Sequence, residues 1–407
     1  MAEDLLYLTH RIPYPPNKGD KIRSFHLLRH LSQHYRVHLG TFVDDEADWQ
    51  HAEFTKSFCG ESHFARLNPS RARLRSLSGL VTGQPLTLPY YQNAGLQNWV
   101  NDLLTNQPVK RVLVFSSAMA QYVSQANETR RVIDFVDIDS DKWIQYAKSK
   151  HWPLSWLYRR EGKQLLRYER EIAEKFDASL FVSTDEAALF KQLAPESAGK
   201  IGYFSNGVDT DYFSPEREYA NPYPADEQVL VFTGAMDYWP NVDAVTWFAQ
   251  EIFPAIHAAH PQTRFYIVGS RPTPAVRELA GLPGVKITGT VADIRPYLAH
   301  AQLAVAPLRI ARGLQNKVLE AMAMAKVVVA SPQAAEGIDA QSGSELQVAC
   351  NAKEFDQIIQ KLLEANTMND IGKAARARIL TDYVWDRSLA HVDALLAEAP
   401  ATPVPTN

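Results

Sequence analysis

Short apolar runs alternate with segments of helical periodicity along the first half of the chain. The apolar runs predict strands at Leu5–Thr9, Val37–Phe42, Val112–Phe115, Val132–Phe135 and Ala178–Val182. Between the first two runs, apolar residues that recur every three positions predict a helix over Lys21–His34. Because strands that alternate with helices form parallel sheets covered by those helices, this pattern predicts an α/β domain.

The second half repeats the alternation with clearer boundaries. Strands are predicted at Val229–Thr233, Arg264–Val268, Val285–Thr288, Leu303–Ala306, Val327–Ala330 and Leu346–Ala349, and helices at Val242–Ala259, Pro274–Ala280, Lys317–Ala325 and Ala352–Ala365. The intervening Asn206–Gln228 is rich in Asp, Pro, Tyr and Asn, which favours a linker. The tail Ala399–Asn407 contains three prolines, and we expect it to be disordered. The pattern predicts two doubly wound domains, whose ligands bind beyond the carboxyl ends of the strands.

Composition narrows the class of protein. The chain has 407 residues, of which 46% are hydrophobic and 22% charged, and this excludes a disordered chain, a collagen-like fibre and a coiled coil. No window approaches the ~18 consecutive apolar residues of a membrane-spanning helix. The two cysteines, Cys59 and Cys350, exclude a disulfide framework and indicate a reducing compartment, so we expect a cytoplasmic protein.

The net charge of −4 argues against a nucleic-acid binder, but it conceals an asymmetry. Residues 1–205 hold 26 Lys or Arg and 23 Asp or Glu, whereas residues 206–407 hold 16 and 23. Arg66–Arg75 contains four arginines and no acid, and Lys142–Arg170 contains eight basic residues and two Glu. Aromatic residues are interleaved with the second stretch, among them Trp143, Trp152, Trp156 and Tyr158. This mixture predicts contact with an anionic membrane surface, although RNA binding or a solvated helix with inward aromatics would give the same pattern.

The segment Pro307–Ser331 carries the strongest chemical motif. It runs from a strand end through a glycine loop into a helix and the next strand. Gly313 permits close approach of the backbone to a ligand, and the helix N-terminus with Lys317 favours a phosphate group. Glu320 lies one turn further on, where a carboxylate can accept two hydrogen bonds from a ribose diol. The alternative is an ordinary helix whose first-turn Glu offsets the helix dipole.

This segment resembles the donor-binding signature of glycosyltransferase family 4, retaining enzymes of the GT-B fold that use nucleotide sugars. Four further segments resemble that family in the same order: Ser205–Phe213, Phe232–Asn241, Ile287–Tyr297 and Tyr383–Leu396. The opening THRIPYPPNKGDKIRSFHLLRHL and the later DFVDIDSDKW most resemble the sugar transferases of PEP-CTERM/exosortase exopolysaccharide systems. The resemblance implies two Rossmann-like, doubly wound domains that face each other across a cleft. Residues 1–205 with about 383–398 would form the acceptor-side domain, and residues 206–382 the donor-binding domain.

The resemblance also implies roles for individual residues. Glu320 matches the second Glu of the family's E-x7-E motif and is expected to hold the ribose hydroxyls. Arg312 stands where the first Glu is usual, and because arginine cannot accept hydrogen bonds it would pair with the diphosphate or a carboxylated sugar, or face solvent. The expected donor-binding residues are Gly19, Arg271, Gly289, Val291, Arg312, Gly313, Leu314, Lys317 and Glu320. The expected catalytic residues are Asp137, Lys317 and Glu320.

Acceptor-side candidates follow the strands of the first half. Lys18, Gly19 and Asp20 lie between a strand and a helix, where the backbone could approach a diphosphate or an acceptor, or where Asp20 could simply cap the helix. If the strand over Val132–Phe135 continued, Asp137 and Asp139 would share one side of it, to orient the acceptor or stabilise an oxocarbenium charge. The alternative is a solvated acidic loop. The expected acceptor-side residues are Lys18, Asp20, Arg23, Asp137 and Asp139.

These features predict a retaining glycosyltransferase of exopolysaccharide assembly. It would move a sugar from a nucleotide-diphosphate donor to a lipid-linked glycan, at the inner face of the cell membrane. Lys317 and the helix N–H groups would stabilise the departing diphosphate. No metal cofactor and no nucleic acid are expected, and His26, His30 and His34 are interpreted as helical or surface residues. The alternatives are a nucleotide-sugar 2-epimerase of the same fold and, given Arg312, a non-catalytic nucleotide-sugar-binding protein.

Overall fold

The computed structural model describes residues 2–16, 18–124, 126, 129–148, 150–311, 313–365 and 368–398. The chain divides into two compact units, one formed by Met1–Ser205 with the residues from Ser388 onward, and one formed by Asn206–Arg387. No helix among the described residues is long and apolar enough to cross a membrane. The predicted disordered tail, residues 399–407, lies outside the described residues.

The first unit is built on a parallel sheet. Its strands are β1 (Glu3–Thr9), β2 (Tyr35–Val43), β3 (Glu61–Arg66), β4 (Arg111–Phe115), β5 (Arg130–Val136), β6 (Ala178–Phe181) and β7 (Ile201–Tyr203). Its helices are α1 (Gly19–His34), α2 (Ala52–Lys56), α3 (Pro69–Ser76), α4 (Ser78–Thr82), α5 (Thr87–Tyr90), α6 (Ala94–Asn106), α7 (Asp139–Lys148), α8 (Leu154–Lys175) and α9 (Thr184–Leu193). These elements confirm the predicted α/β alternation.

Both faces of this sheet are covered by helices. Leu6 and Leu8 of β1 belong to the same apolar cluster as Leu96 of α6. Tyr7, between them in sequence, points to the opposite face, where its hydroxyl donates to the Ser24 carbonyl oxygen of α1. The strand order is β3-β2-β1-β4-β5-β6-β7, so the chain builds outward from β1 in one direction and from β4 in the other. The loops after β1 and β4 therefore diverge at a topological switch point, where ligands of open α/β sheets bind.

The second unit has a smaller sheet of the same kind. Its strands are β8 (Gln228–Thr233), β9 (Thr263–Val268), β10 (Val285–Gly289), β11 (Leu303–Ala306), β12 (Val327–Ala330) and β13 (Gln347–Val348). Its helices are α10 (Trp239–Trp247), α11 (Phe253–Ala259), α12 (Pro274–Glu278), α13 (Arg295–His300), α14 (Asn316–Ala323), α15 (Pro332–Ala335), α16 (Ala352–Glu364) and α17 (Met368–Asp382), followed by α18 (Trp385–Ala397), which enters the first unit at Ser388. The order β10-β9-β8-β11-β12-β13 puts the switch point between β8 and β11.

One predicted helix of the second unit is interrupted. The spacing predicted a single helix over Val242–Ala259, but α10 ends at Trp247 and α11 begins at Phe253, with a π-helical turn between them. The cause is Pro254, whose missing N–H and bulky ring prevent the regular hydrogen bond to the preceding turn.

The predicted linker also differs from the structure. The segment 206–228 belongs to the second unit, and Tyr223 within it is buried, with its hydroxyl donating to the Tyr297 carbonyl oxygen. Residues 383–387, assigned by resemblance to the first domain, also belong to the second unit. Tyr383 holds them there, because its carbonyl oxygen accepts from the Val208 N–H and its hydroxyl accepts from the Asp339 N–H.

Arg23 corrects an acceptor-side prediction. Its side chain is fully buried in the first unit and forms two hydrogen bonds to Asp134 of β5, at 2.7 and 3.1 Å. The guanidinium also donates to the Phe204 carbonyl oxygen and lies 3.4 Å from the centroid of the Phe204 ring. The neighbouring Lys21 is buried as well and is bound to Asp48. The sequence predicted that Arg23 faces a ligand, but its position on α1 turns it into the core, so Arg23 stabilises the fold.

We therefore predict that Asp134→Ala destabilises the protein by about 3–5 kcal/mol, because it leaves the Arg23 guanidinium buried without its counter-ion. Equilibrium unfolding in urea measures this change. The matched control is Arg170→Ala, which removes an exposed ion pair with Glu196 and should change the stability little. Equal effects of the two substitutions would contradict the structural role of Arg23.

Candidate functional site

The candidate site of the second unit is built on two glycines at the carboxyl ends of β8 and β9. A Cβ atom on Gly269 would lie 1.6 Å from the Gly234 carbonyl oxygen, so glycine is required there. A Cβ atom on Gly234 would lie 2.8 Å from Nδ2 of Asn241 and 3.4 Å from Nζ of Lys317. The loops after the two strands are thus in close contact, and they border the side chains that carry the charge of the site.

Lys317 lies at the switch point of this sheet. It is in the first turn of α14, which the loop after β11 leads into, and its Nζ donates to Oδ1 of Asn241. The same Nζ is 4.5 Å from the centroid of the Phe232 ring on β8. Burial lowers the pKa of Lys317 to about 7, although the charge of Glu320 acts in the opposite direction. The ammonium is therefore a desolvated cation, which gains most from a fixed anion.

Glu320 follows one turn later on α14, as predicted. Burial raises its pKa to about 7, against the effect of the Lys317 charge. The charge of Glu320 also acts on Tyr212, whose pKa is raised by burial and by Asp293 and Glu320. The Arg295 guanidinium lies 3.7 Å from the centroid of the Tyr212 ring. Tyr212 and Arg295 thereby connect Glu320 to the segment after β10. Neither residue was singled out from the sequence, because the three are distant along the chain and come together only in the folded unit.

Two further donor-binding candidates lie in that segment after β10. Gly289 is the last residue of the strand and has a φ of +70°, in the left-handed region that favours glycine. Its carbonyl oxygen accepts from the Thr288 hydroxyl at 2.9 Å. Val291 is partly exposed two residues further on. Both positions lie at or just beyond the carboxyl end of β10, on the same side of the sheet as the other donor-binding candidates.

Arg271 follows β9 and is exposed at the same edge of the sheet. Its φ is +53°, which is uncommon for a residue with a side chain. Its Nη1 lies 3.4 Å from Oδ2 of Asp237 in the loop after β8. The structure therefore brings a second cation to the carboxyl ends of β8 and β9, together with an acid that the sequence analysis did not single out.

The loop before α14 contains the remaining candidates. Gly313 has a φ of +63°, and its carbonyl oxygen accepts from the Gln315 side chain at 3.0 Å. The Leu314 side chain is buried, so only its backbone is available to a ligand. The sequence analysis gave Leu314 as a donor-binding residue without this restriction to the backbone. Asn316 is fixed by the Asn206 side chain at 3.1 Å. Arg312 lies outside the described residues.

The first unit has its own cluster at the switch point between β1 and β4. His10, directly after β1, is stacked on Phe115 of β4 with 2° between the ring planes, and Tyr91 meets its edge. Nε2 of His10 is 3.4 Å from Asp20, and Arg11 donates to Asp20 at 2.6 Å. From the sequence alone, His10 follows the first strand and could either reach the ligand-binding edge or have a packing or loop role, because its neighbours come from distant positions. The structure makes it part of the edge where a ligand would bind.

Asp20 is an ionised acceptor within this cluster. Burial acts to raise the pKa of its carboxyl, but the hydrogen bond from His10 and the charges of Arg11 and His10 hold it well below the usual range. Lys18 and Gly19 precede it at the start of α1, with the Gly19 backbone exposed and nothing near its Cα on the side-chain face. The loop thus offers exposed backbone beside a fixed carboxylate.

Asp137 and Asp139 meet at one cation. Strand β5 ends at Val136, so the two acids do not share a strand side as predicted; Asp139 is the first residue of α7. Lys142 nevertheless binds both, with Nζ 2.7 Å from Asp137 and 3.3 Å from Asp139. Burial acts to lower the Lys142 pKa, but the charges of the two carboxylates raise it well above the usual range. The loop is therefore an ion-paired cluster.

The start of α7 is fixed by a buried acid that sequence reasoning missed. Glu169 of α8 accepts from the Ser140 N–H at 3.2 Å and from its hydroxyl at 2.5 Å. Burial and the charge of Asp139 raise the pKa of Glu169 to about 8, although the hydrogen bonds of Ser140 oppose this shift. The spacing on α8 gave no sign of this contact, since an acid on a long charged helix usually faces solvent.

The aromatic residues of the basic stretch divide into two groups. Trp143 and Tyr158 pack edge to face, 5.0 Å between ring centroids. Trp152 and Trp156 are exposed, at 81% and 55%. Apolar residues of α3 and α4 are exposed as well: Leu74, Leu77, Leu80 and Val81. Arg160 connects α8 to the loop after α4, through hydrogen bonds to the Gly79 and Gln84 carbonyl oxygens. The exposed rings and the exposed aliphatic residues therefore lie on connected elements.

Comparison with known proteins found a family model that matches part of the chain and solved structures that share the fold of nearly all of it. Residues 227–365 match the model of a family described as Glycosyl transferases group 1. Sucrose-phosphate synthase from Thermosynechococcus elongatus has a TM-score of 0.70 at 17% identity, over 97% of this chain and 98% of that one. HepE from Anabaena, solved in complex with UDP, has a TM-score of 0.66 at 16% identity, over 97% and 99%. WaaG, a glycosyltransferase involved in lipopolysaccharide biosynthesis, has a TM-score of 0.68 at 14% identity, over 97% and 100%.

The comparison with curated sequences found no significant match. At the identities above, the structural likeness shows the fold, and it confirms the predicted GT-B class of two α/β units with parallel sheets. The family match lies within the unit that carries Lys317 and Glu320. The second unit therefore contains a segment similar to group 1 glycosyl transferases, and Lys317 and Glu320 lie within that segment.

The contact of the two glycines gives a prediction for this site. Gly269→Ala should destabilise the second unit and lower the Tm by several degrees, because the added methyl group forces the ends of β8 and β9 apart. Thermal unfolding followed by circular dichroism measures the change. Gly281→Ala is the matched control, since a Cβ atom there meets nothing within 4 Å. A Tm equal to that of the control would show that the strand ends are not in the described contact.

Proposed function

We propose that this protein is a retaining glycosyltransferase that transfers a sugar from a nucleotide-diphosphate donor to a lipid-linked saccharide in exopolysaccharide biosynthesis. One observation carries the proposal. Lys317, a desolvated cation held by Asn241, stands at the switch point of the second sheet with Glu320 one turn away on the same helix. This pair matches the two ends of a nucleoside diphosphate, an anionic diphosphate and a ribose diol. The family match over residues 227–365 and the UDP complex of HepE support this choice of ligand.

The diphosphate would occupy the space at the first turn of α14. The free N–H groups there and the Lys317 ammonium both favour an anion. As the bond between the sugar and the diphosphate breaks, negative charge grows on the leaving oxygen, and a preorganised cation stabilises it without reorganisation. Arg271 adds a flexible, exposed cation at the same strand ends. We propose that these groups, and not a metal ion, supply the positive charge in the reaction.

The nucleoside would be held by the segments around Glu320. Its carboxylate accepts from the ribose hydroxyls, a charge-assisted contact that requires the ionised form. The backbone near Gly289 and Val291 lies beside Arg295 and Tyr212, so the base is read largely by main-chain groups. Such readout leaves the identity of the base undetermined by side chains, and UDP is the first nucleotide to test because HepE was solved with it.

The acceptor would bind at the cluster of the first unit. Asp20 is held ionised by Arg11 and His10, and Asp137 has one oxygen bound to Lys142. The second oxygen of each carboxylate can accept a hydrogen bond from a sugar hydroxyl. We propose that Asp137 orients the attacking hydroxyl, while Lys18 and Asp139 contact the acceptor at the edges. Retention follows from attack on the face that the diphosphate leaves.

A lipid-linked acceptor accounts for the exposed aromatic surface of the first unit. Trp152 precedes α8 and Trp156 lies in its first turn, and α8 is hydrogen-bonded through Arg160 to α4, near the exposed aliphatic residues Leu80 and Val81. Indole rings partition to the interface of a bilayer, and the neighbouring arginines and lysines are attracted to anionic headgroups. Peripheral binding would bring the first unit to the membrane that contains its acceptor, without a membrane-spanning helix.

The first prediction from the proposed function concerns the charge of Lys317. Because UDP binds best to the protonated amine, and the pKa of Lys317 in the free protein is about 7, UDP affinity should fall as the pH rises from 7 to 9, by at most tenfold per pH unit. In Lys317→Met the affinity should be lower by about tenfold at pH 7, and the fall in affinity from pH 7 to 9 should disappear, because the amine that loses its proton is absent. Isothermal titration calorimetry measures both.

Lys286→Met, which alters an exposed lysine of the same unit, is the matched control and should retain the wild-type profile. Release of UDP from UDP-sugars in the presence of extracted lipid-linked glycans then tests transfer directly. UDP affinity that is unchanged in Lys317→Met would remove the donor-site assignment, whereas donor binding without release in any acceptor mixture would favour a binding protein.

The second prediction concerns the membrane. Replacing Trp152 and Trp156 by serine should reduce binding to vesicles that contain anionic lipid by about tenfold or more, because two exposed indoles no longer enter the interface. Vesicle sedimentation measures the bound fraction, and binding by the wild type should weaken as salt is raised. Trp239→Ser, at a similarly exposed tryptophan of the second unit, is the matched control. Equal binding of neutral and anionic vesicles would contradict the electrostatic part of the proposal.

A further inference from the structure

Two histidines and a carboxylate lie together at the end of α1, far from the sheet edge described above. His30 and His34 are four residues apart on α1, and Asp393 belongs to α18. One ligand atom from each side chain lies within 4.8 Å of the other two. Since α1 starts at Gly19 and rises ~1.5 Å per residue, His34 is ~20 Å along the helix from the acceptor-side loop. The cluster is thus separate from the candidate site of the first unit.

The contacts within the cluster resemble a partly assembled ligand set. Nε2 of His30 is 2.7 Å from Oδ2 of Asp393, and the His30 and His34 rings are 4.9 Å apart between centroids. Oδ1 of Asp393 is buried and has no hydrogen-bond partner among the described residues. A buried carboxylate oxygen without a donor is costly, so this oxygen calls for a cation or another donor.

We infer that His30, His34 and Asp393 bind a divalent transition-metal ion, of which Zn²⁺ fits the donor set best. Two histidines at positions i and i+4 of a helix present their rings to one ion, and a carboxylate from a second element completes a set of three, with water as the fourth ligand. Zinc bonds of about 2.0–2.2 Å need ligand atoms ~3.3 Å apart. The exposed His34 ring can rotate to close that distance, while His30 and Asp393 need only separate slightly.

The surrounding charges leave the site attractive to a cation. Asp393, Arg111 and Glu3 all act electrostatically on Tyr35, the residue that follows α1. The Arg111 guanidinium is neutralised by its ion pair with Glu3. The site also lies at the carboxyl end of α1, where the helix dipole adds partial negative charge. His34 occupies the last position of that helix.

A metal ion here would join the beginning and the end of the first unit. His30 and Asp393 are 363 positions apart in the chain. The far end of α18 is already held, because Arg111 and Arg130 donate to the Leu396 and Leu395 carbonyl oxygens. The ion would add a cross-link one turn earlier and restrain α18 against α1. Its role is therefore structural, and it is independent of the proposed transfer reaction.

The test uses full-length protein without a histidine tag, freed of metal by chelation. Zn²⁺ is titrated in competition with a chromophoric chelator, and Co²⁺ is added separately to record its visible absorption. We expect one Zn²⁺ per chain, a Tm raised by about 5 °C when free Zn²⁺ exceeds its Kd ~100-fold, and a Co²⁺ spectrum typical of four ligands. His34→Ala should weaken Zn²⁺ binding by at least about tenfold, and Asp393→Asn, which keeps the shape of the side chain, should do the same.

Two controls distinguish this site from incidental binding. His151→Ala removes another exposed histidine of the first unit and should leave the affinity unchanged. The double substitution Cys59→Ser with Cys350→Ser removes the free thiols and should also leave it unchanged. Affinity that is equal in wild type and His34→Ala, or that is lost with the thiols, would overturn the proposal. UDP binding in His34→Ala should equal that of the wild type, so failure of the metal site would leave the donor-site proposal intact.

Discussion

The contact between the Lys317 ammonium and the Asn241 side chain is the constraint on which the second unit's site depends. Burial removes water from the Lys317 ammonium, which is unfavourable for a charged group. The Asn241 amide oxygen and the face of the Phe232 ring compensate only part of this desolvation. Glu320 is in the same position with the opposite charge. Their pKa values both shift to about 7. Each charge favours the ionised form of the other residue, but at pH 7 neither residue is fully ionised. A ligand that brings an anion to Lys317 and hydroxyl donors to Glu320 stabilises both charged forms at once.

Glycine makes that arrangement geometrically possible. Gly269 and Gly234 bring the backbones after β9 and β8 into contact, and a side chain on Gly234 would collide with the amide that holds Lys317. The unusual backbone at these strand ends extends to residues with side chains. Ser116 after β4, Val136 at the end of β5 and Arg271 after β9 all have φ between +53° and +77°. Each such conformation costs about 1–3 kcal/mol, and such costs persist where a site requires the geometry. Both sheets thus concentrate backbone strain at the edge where ligands of this fold bind.

Much of this could be predicted from the chain alone. Apolar periodicity identified the strands that are buried on two faces, but it missed β3 and β7, which lie at the edges of the first sheet and bury few of their residues. The loop before α14 suggested a donor site because Lys317 and Glu320 are close in sequence. The failures have physical causes. Arg23 was expected to face a ligand, but its counter-ion Asp134 is 111 positions away, and a sequence does not display that pairing. The position of His10 could not be decided for the same reason, since Phe115 and Tyr91 reach it only through the strand order.

For the same reason, the sequence alone indicated no binding site at the histidines of α1. The spacing of His30 and His34 is common on amphipathic helices, and the carboxylate that gives it meaning comes from α18, at the other end of the chain. Local motifs identify sites whose ligands share one loop or helix, such as the α14 site. Sites assembled from the first and last helices of a unit carry no such motif, and an unsatisfied buried oxygen on Asp393 is then the more informative signal. Polar atoms that a fold buries without partners are, for this reason, the places where a further ligand is best sought.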